Sequence, residues 1–271
     1  MLYLNHQVLR KTSFEVINMY GAIIGDLAGS IYEYNQIKKV KPIYMNNLIE
    51  DNAFYSDDTI LTIAILDATL NDKNYDKYLR DYVKKYSFYK PNIKPYFKYS
   101  FSPNTIKWSK ELNQGFSTGN GAMMRISPIG YLFESEEDVI KNAKLATIPS
   151  HNSSESISSA TIIALMIFYF RKGFTKEEIY NKLNLKVEYK PFLKFNMTCS
   201  ETIDNILYVI YKTNSFEDAI RETLLMGGDT DTNCAIVGSV AEAIYGINDE
   251  LKKEVEEKIP NEFVKILKKV K

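Results

Sequence analysis

Histidine and cysteine are scarce: the 271 residues hold two of each. Cys199 and Cys234 lack the close pairing of a thiolate site, and His6 and His151 stand far apart. A zinc centre draws on several clustered nitrogen and sulfur ligands, so these counts speak against one. The two thiols read as free, which places the chain in a reducing compartment. An excess of one charge is also missing: 34 basic residues face 34 acidic ones. No global field therefore draws the chain to nucleic acid or to anionic lipid. Long apolar runs are absent too. The longest, residues 160–170, is broken by Thr161 and covers about half of a bilayer span. Residues 1–20 interleave Asn5, His6, Arg10, Lys11 and Glu15 with apolar positions, so they hold no apolar stretch of a secretory signal. The expectation is a soluble, cytoplasmic protein, with no nucleic-acid or membrane partner and a monomeric state.

An apolar fraction of 45% and a charged fraction of 25% are those of an ordinary globular protein. A chain of this length buries enough surface to fold without a metal or a crosslink. Apolar residues recur at helical spacing over 60–70, 158–170, 202–211, 216–226, 235–245 and 250–269. The segment 158–170 is apolar nearly all round, as a central helix is. Weak period-two alternation over 187–195 reads as a loop or a short strand. Residues 86–109 mix Pro and Asn with many aromatics and read as an irregular excursion with short helices. The fold class expected is all-α: one compact helical domain over 19–271, preceded by an N-terminal extension over 1–18.

Four segments carry candidate chemistry. In GAIIGDLAGSIYE (21–33), Gly21, Gly25 and Gly29 recur every four residues, which lets another backbone approach one helix face. Asp26 and Glu33 are seven apart and fall on one face of a helix. Buried carboxylates need partners; a tight helix crossing with Asp26 capping a neighbour accounts for the pattern as well. In YSDDT (55–59), Ser56 or Asp57 suits an N-cap. Adjacent Asp57 and Asp58 also repel each other, and a hard divalent cation relieves that. In GGDTDT (227–232), Asp229, Asp231 and Thr232 crowd three oxygen donors into a tight turn before an apolar helix. Should the two Asp-rich helix starts converge, four carboxylates would meet at one point, and two divalent cations would balance them. The fourth segment, GFSTGNGAMMR (115–125), offers backbone N–H groups to phosphates but lacks the spacing of a triphosphate-binding loop. His151, in SHN (150–152), stands at the start of the apolar helix, where a structural role and a ligand contact are both open.

Together, GAIIGDLAGSIYE, YSDDT, GNGAMMR, SHN and GGDTDT resemble, in this order, the motifs of the ADP-ribosylglycohydrolase family, which includes the dinitrogenase-reductase-activating glycohydrolase. The resemblance implies an all-α fold with a binuclear centre of two Mg²⁺ (or Mn²⁺) ions. It assigns Ser56, Asp57, Asp58, Asp229, Asp231 and Thr232 as metal ligands, with Ser56 standing where many members have Thr. Glu33 and Asp58 become the catalytic residues, with Glu33 activating water and Asp26 supporting the site. Ser117, Gly119, Asn120, Gly121 and His151 become contacts to the diphosphate and ribose. Ser153 and Ser154 replace the His-Pro that follows in many bacterial members. Phe116, Tyr99 and Phe101 are candidates to stack on adenine. The implied activity is metal-dependent removal of ADP-ribose from an arginine or serine side chain, or from a small ADP-ribosyl conjugate. A catalytically inactive ADP-ribose binder or structural paralogue is the alternative, and a two-metal phosphoesterase is a third reading.

Overall fold

The computed structural model describes residues 19–33, 41–91, 100–111 and 113–270; the extension over 1–18 lies outside them. Among the described residues the regular structure is helical, and β pairing is limited to the isolated bridges Phe116–His151 and Gly119–Thr198. No helix among them is long and apolar enough to cross a membrane.

Two helices make the spine. Helix α1 (Gly21–Ser30) is buried along its whole length. It starts at Tyr20, which offers no capping side chain. The orphan N–H groups of Tyr20 and Gly21 instead donate to the Glu242 carboxylate, at 3.4 and 2.7 Å. Glu242 lies on α12 (Thr230–Tyr245), the helix that packs against α1. The four-residue glycine spacing sets how close they come. A Cβ on Gly29 would sit 2.2 Å from the Thr230 carbonyl oxygen and 2.4 Å from the Asp231 nitrogen. No side chain fits there, so the start of α12 is held directly on the end of α1.

The remaining helices wrap this pair. Helix α2 (Asp57–Leu70) opens at Ser56, whose hydroxyl accepts from the Asp58 N–H at 3.1 Å. Next come α3 (Tyr75–Lys85), α4 (Pro103–Lys110), α5 (Gly121–Met124), α6 (Ser127–Leu132) and α7 (Glu136–Thr147). Helix α8 (Ser154–Arg171) is the apolar helix expected at 158–170, and it packs against α6, α7 and α12. It starts one turn earlier because Ser153 caps it through the Ser156 N–H. His151 therefore lies ahead of the helix rather than at its start. Helices α9 (Lys176–Lys182) and α10 (Cys199–Lys212) each begin with a reciprocal capping box, Thr175 with Glu178 and Thr198 with Glu201. Between them, residues 187–195 form no strand. Helix α11 (Phe216–Met226) coincides with the 216–226 periodicity. The expected helix over 250–269 is two, α13 (Asp249–Lys258) and α14 (Asn261–Leu267). The break falls at Pro260, which has no N–H to donate and crowds the preceding turn.

Candidate active site

Three chain segments deliver carboxylates to one point: the end of α1, the start of α2 and the start of α12. Asp26, Asp58 and Asp231 are buried and carry ligand atoms within 4.8 Å of one another; Glu33, Asp229 and Asp231 form a second such group. Asp231 belongs to both. Asp57 falls in neither group; it is half-buried beside them and accepts from the Ser100 hydroxyl at 3.3 Å.

Helix capping does not account for these carboxylates. At α2 the cap is the Ser56 hydroxyl, which leaves Asp57 and Asp58 free of that duty. At α12 the N-cap position is Asp229, yet its side chain makes no capping bond. It instead accepts from the Asn120 amide at 2.7 Å. Asp26 does serve the α2 terminus. Its Oδ2 accepts from the Ser56 N–H, the Thr59 N–H and the Thr59 hydroxyl at 2.8, 3.1 and 2.5 Å. Its Oδ1 has no partner, and neither has Oδ1 of Asp58. Asp58 Oδ2 accepts from Ser56 and Thr232 hydroxyls at 3.2 and 3.3 Å.

Glu33 reaches this cluster by a different route from the one its spacing suggests. Helix α1 ends at Ser30, and Ile31 and Tyr32 form a turn that brings Glu33 round to Asp229 and Asp231.

The electrostatics of the cluster are those of unbalanced negative charge. Burial, then the neighbouring Asp231, pushes the Asp26 carboxyl up to about 7. Burial and Asp231 push Asp57 up to about 7 as well. Glu33, Asp58 and Asp229 are raised well above the usual carboxylate range by burial and then by the neighbouring Asp231. Acids elsewhere find protein cations, as Glu134 does with Arg171 and Glu201 with Lys194. Two orphaned buried oxygens in an all-oxygen donor set fit a hard divalent cation.

The cluster floors a cavity of about 550 Å³. Glu33, Ser56, Asp57, Asp58, Asp229, Asp231 and Thr232 line it together with Ser117, Gly119, Asn120, Gly121 and His151. The sequence residues proposed for metal and for substrate thus share one chamber. Phe116, exposed at 72%, also lines it. Phe101 does not: it is buried in the hydrophobic core at 2% exposure, which removes it as an adenine partner. Tyr99 lies outside the described residues. Trp108, Phe195 and Met197 supply further apolar wall.

The residue that sequence reasoning misses is Asn196. It is buried at 1% exposure in the irregular stretch before α10. Its Oδ1 accepts from the Asp229 N–H at 2.8 Å, and its Nδ2 donates to Thr202 and Asn233 at 2.8 and 2.9 Å. Gly228, at φ +81°, makes room for it: a Cβ there would meet Asn196 Oδ1 at 2.2 Å. A ring closes through the neighbouring residue. The Asn120 N–H donates to the Met197 carbonyl at 2.9 Å, and the Asn120 side chain holds Asp229. The cavity wall and a carboxylate of the cluster are thereby tied to each other. An Asn in a loop carries no periodicity to reveal this; the one sequence hint is the Gly-Gly pair before Asp229.

Comparison with known proteins bears on this chamber. A family model described as ADP-ribosylglycohydrolase matches residues 18–269. ADP-ribosylhydrolase ARH3 of Mus musculus is 21% identical, over 84% of this chain and 82% of its own length. ADP-ribosylarginine hydrolase Tri1 of Serratia proteamaculans is 21% identical, over 85% of this chain and 71% of its own length. A solved structure, an ADP-ribosylglycohydrolase-related protein complex, superposes with a TM-score of 0.63 at 18% identity. That alignment covers 92% of this chain and 93% of the other, a likeness of fold.

Proposed function

The chain belongs to the ADP-ribosylglycohydrolase family, and we propose that it releases ADP-ribose from a modified protein side chain or a small ADP-ribosyl conjugate, with two Mg²⁺ or Mn²⁺ ions. The observation that carries this reading is the meeting of two carboxylate groups at Asp231 on the floor of a cavity wide enough for a nucleotide.

Ser56, Asp57, Asp58, Asp229, Asp231 and Thr232 would hold the ions, Asp231 being the carboxylate common to both groups; Asp26 supports the site from behind α2. Bound there, divalent cations offset the carboxylate repulsion and polarise oxygens at the reacting centre. The chain's own groups do the rest. Glu33, beside Asp229 and Asp231 on the cavity wall, accepts the proton of the attacking water and returns it to the departing acceptor. Departure of the acceptor from the anomeric carbon leaves an oxocarbenium-like ribose, and the surrounding carboxylates favour that positive charge. The Gly119–Asn120–Gly121 segment and Ser117 cradle the diphosphate, and His151 donates to an oxygen of the ligand. The Phe116 ring, largely exposed at the cavity edge, suits the adenine. Asp26, Glu33, Asp57, Asp58, Asp229 and Asp231 are all present, which favours catalysis over a binding paralogue.

An arginine acceptor is the first linkage to test, because the Serratia relative is named for it. The test measures ADP-ribose released from arginine-linked and serine-linked proteins with Mg²⁺ and then with EDTA. Release from one linkage, lost in EDTA, is the expected result. A protein that releases phosphate and no ADP-ribose would replace this reading with a phosphoesterase.

A further inference from the structure

His151 sits where two donors meet. The Arg125 guanidinium donates from Nη2 to the Ser150 hydroxyl at 2.7 Å, and the same nitrogen lies 3.3 Å from His151 Nδ1. The Ser150 oxygen is itself 2.7 Å from Nδ1. Guanidinium nitrogens can only donate. Ser150 Oγ accepts the arginine hydrogen and still has one hydrogen to donate, with Nδ1 as its nearby acceptor. The arginine nitrogen can bring only hydrogens to Nδ1, so a proton on Nδ1 would face the guanidinium, whereas a bare Nδ1 accepts from both neighbours. This arrangement favours the ring's proton on Nε2.

On that side the surroundings are different. Nε2 faces the Gly119–Asn120–Gly121 segment: a Cβ on Gly119 or Gly121 would come within 3.4 or 3.6 Å of it. Among the described residues Nε2 has no hydrogen-bond partner, and His151 lines the cavity. Arg125 is fixed for its task. It is buried at 3% exposure, follows α5 directly, and belongs to the same short run as Asn120. Ser150 is fixed by its backbone, whose carbonyl accepts from the Ser117 N–H at 3.2 Å.

We propose that Arg125 and Ser150 are positioning residues that lock His151 as a neutral imidazole with its proton on Nε2, aimed as a fixed donor at an oxygen of the bound ADP-ribose. The inference rests on the reading of this cavity as an ADP-ribose site. The lock gives the pocket a donor that needs no reorientation when the ligand arrives, the preorganisation that makes a hydrogen bond count in a binding site. Burial and the arginine charge act in the same direction, holding His151 well below the ordinary histidine range. The imidazole thus stays neutral at pH 7, and its Nε2 donates without adding a second cation beside Arg125.

With two histidines in the chain, the ring state is directly readable by long-range ¹H–¹⁵N correlation on histidine-labelled protein, His6→Gln assigning the other ring. The expected spectrum at pH 7 shows a protonated Nε2 and an unprotonated Nδ1 for His151. In Ser150→Ala, Nδ1 loses its nearer donor, so its resonance moves toward that of a free pyridine-type nitrogen. ADP-ribose binding by calorimetry falls about fivefold, the worth of about one hydrogen bond. Ser150→Thr keeps the hydroxyl and restores both. An Nδ1-protonated ring or an imidazolium in the wild type overturns the proposal. So does a Ser150→Ala protein whose spectrum and affinity both match the wild type. If the wild type binds no ADP-ribose, the functional reading fails, while the spectrum still decides the lock.

Discussion

Replacing Gly29 by Ala sets two known effects against each other at the point where α1 meets α12. In a helix, Ala is favoured over Gly by about 1 kcal/mol, so propensity alone would stabilise the protein. The new Cβ, however, would lie 2.2 Å from the Thr230 carbonyl oxygen and 2.4 Å from the Asp231 nitrogen. Ordinary contact needs about 3.4 Å or more, and both obstacles are backbone, so neither can swing aside. The helices must part by about 1 Å. Overpacking of this kind costs about 3 kcal/mol, at the upper end of the usual range. The net loss is about 2 kcal/mol, a fall in Tm of about 4–8 °C for a chain of this size. Because the displaced peptide joins Thr230 to Asp231, the further rise in Tm on adding Mg²⁺ shrinks too. Thermal scans with EDTA and with saturating Mg²⁺ read both numbers. Gly173→Ala is the control: it strains a φ of +80° but has nothing within 4 Å, so its Mg²⁺-induced rise stays that of the wild type. A Gly29→Ala protein as stable as the parent, with a full response to Mg²⁺, would refute the claim that this crossing positions the cluster.

Asp58→Asn removes one ionisable carboxyl from the buried acidic cluster, so the metal-free protein is expected to gain about 2–4 °C in Tm while losing the rise that Mg²⁺ gives. The metal-free protein should lose stability as pH rises. Burial and acidic neighbours hold Asp26 and Asp57 near 7 in the folded chain, above their unfolded values. The folded state therefore keeps more protons across that window, and its advantage is present in acid and gone above about pH 7. Urea unfolding in EDTA from pH 5 to pH 8 reads this slope, and Mg²⁺ should flatten it at the upper end. Asn196→Ala strands the Asp229 N–H and takes one partner each from the Thr202 hydroxyl and the Asn233 side chain, for a loss of about 2–3 kcal/mol in urea unfolding. It should also weaken Mg²⁺ binding at least tenfold by calorimetry, as loss of a ligand's supporting bond does.

What the sequence made legible is what local chemistry encodes. Ser56 precedes two Asp and an apolar run, and the helix starts there. Gly-Gly-Asp-Thr-Asp-Thr marks a tight turn into a helix, and α12 follows it. Glycines at four-residue spacing announced a close crossing, and the partner is α12. The rest depends on contacts made across the fold. Helix α1 has no capping residue of its own because Glu242, from α12, serves its first N–H groups. Glu33 reaches Asp231 through a turn that helical spacing does not describe. Asn196 looked like any loop residue until Gly228 and Asp229 were folded against it. Phe101 is an adenine candidate by sequence, yet it packs into the core, a burial that its neighbours in the chain do not reveal. The break at Pro260 was written in the sequence, but the apolar periodicity on both sides of it concealed the boundary.

The central claim is that carboxylates from α1, α2 and α12 form one centre for two ions that share Asp231. Titration of the metal-free protein with Mn²⁺, followed by electron paramagnetic resonance, tests it most directly. Two ions per chain with the spectrum of a spin-coupled pair are expected, with loss of the coupling in Asp231→Asn. A single isolated Mn²⁺ at saturation, or a coupled pair that survives Asp231→Asn, would contradict it.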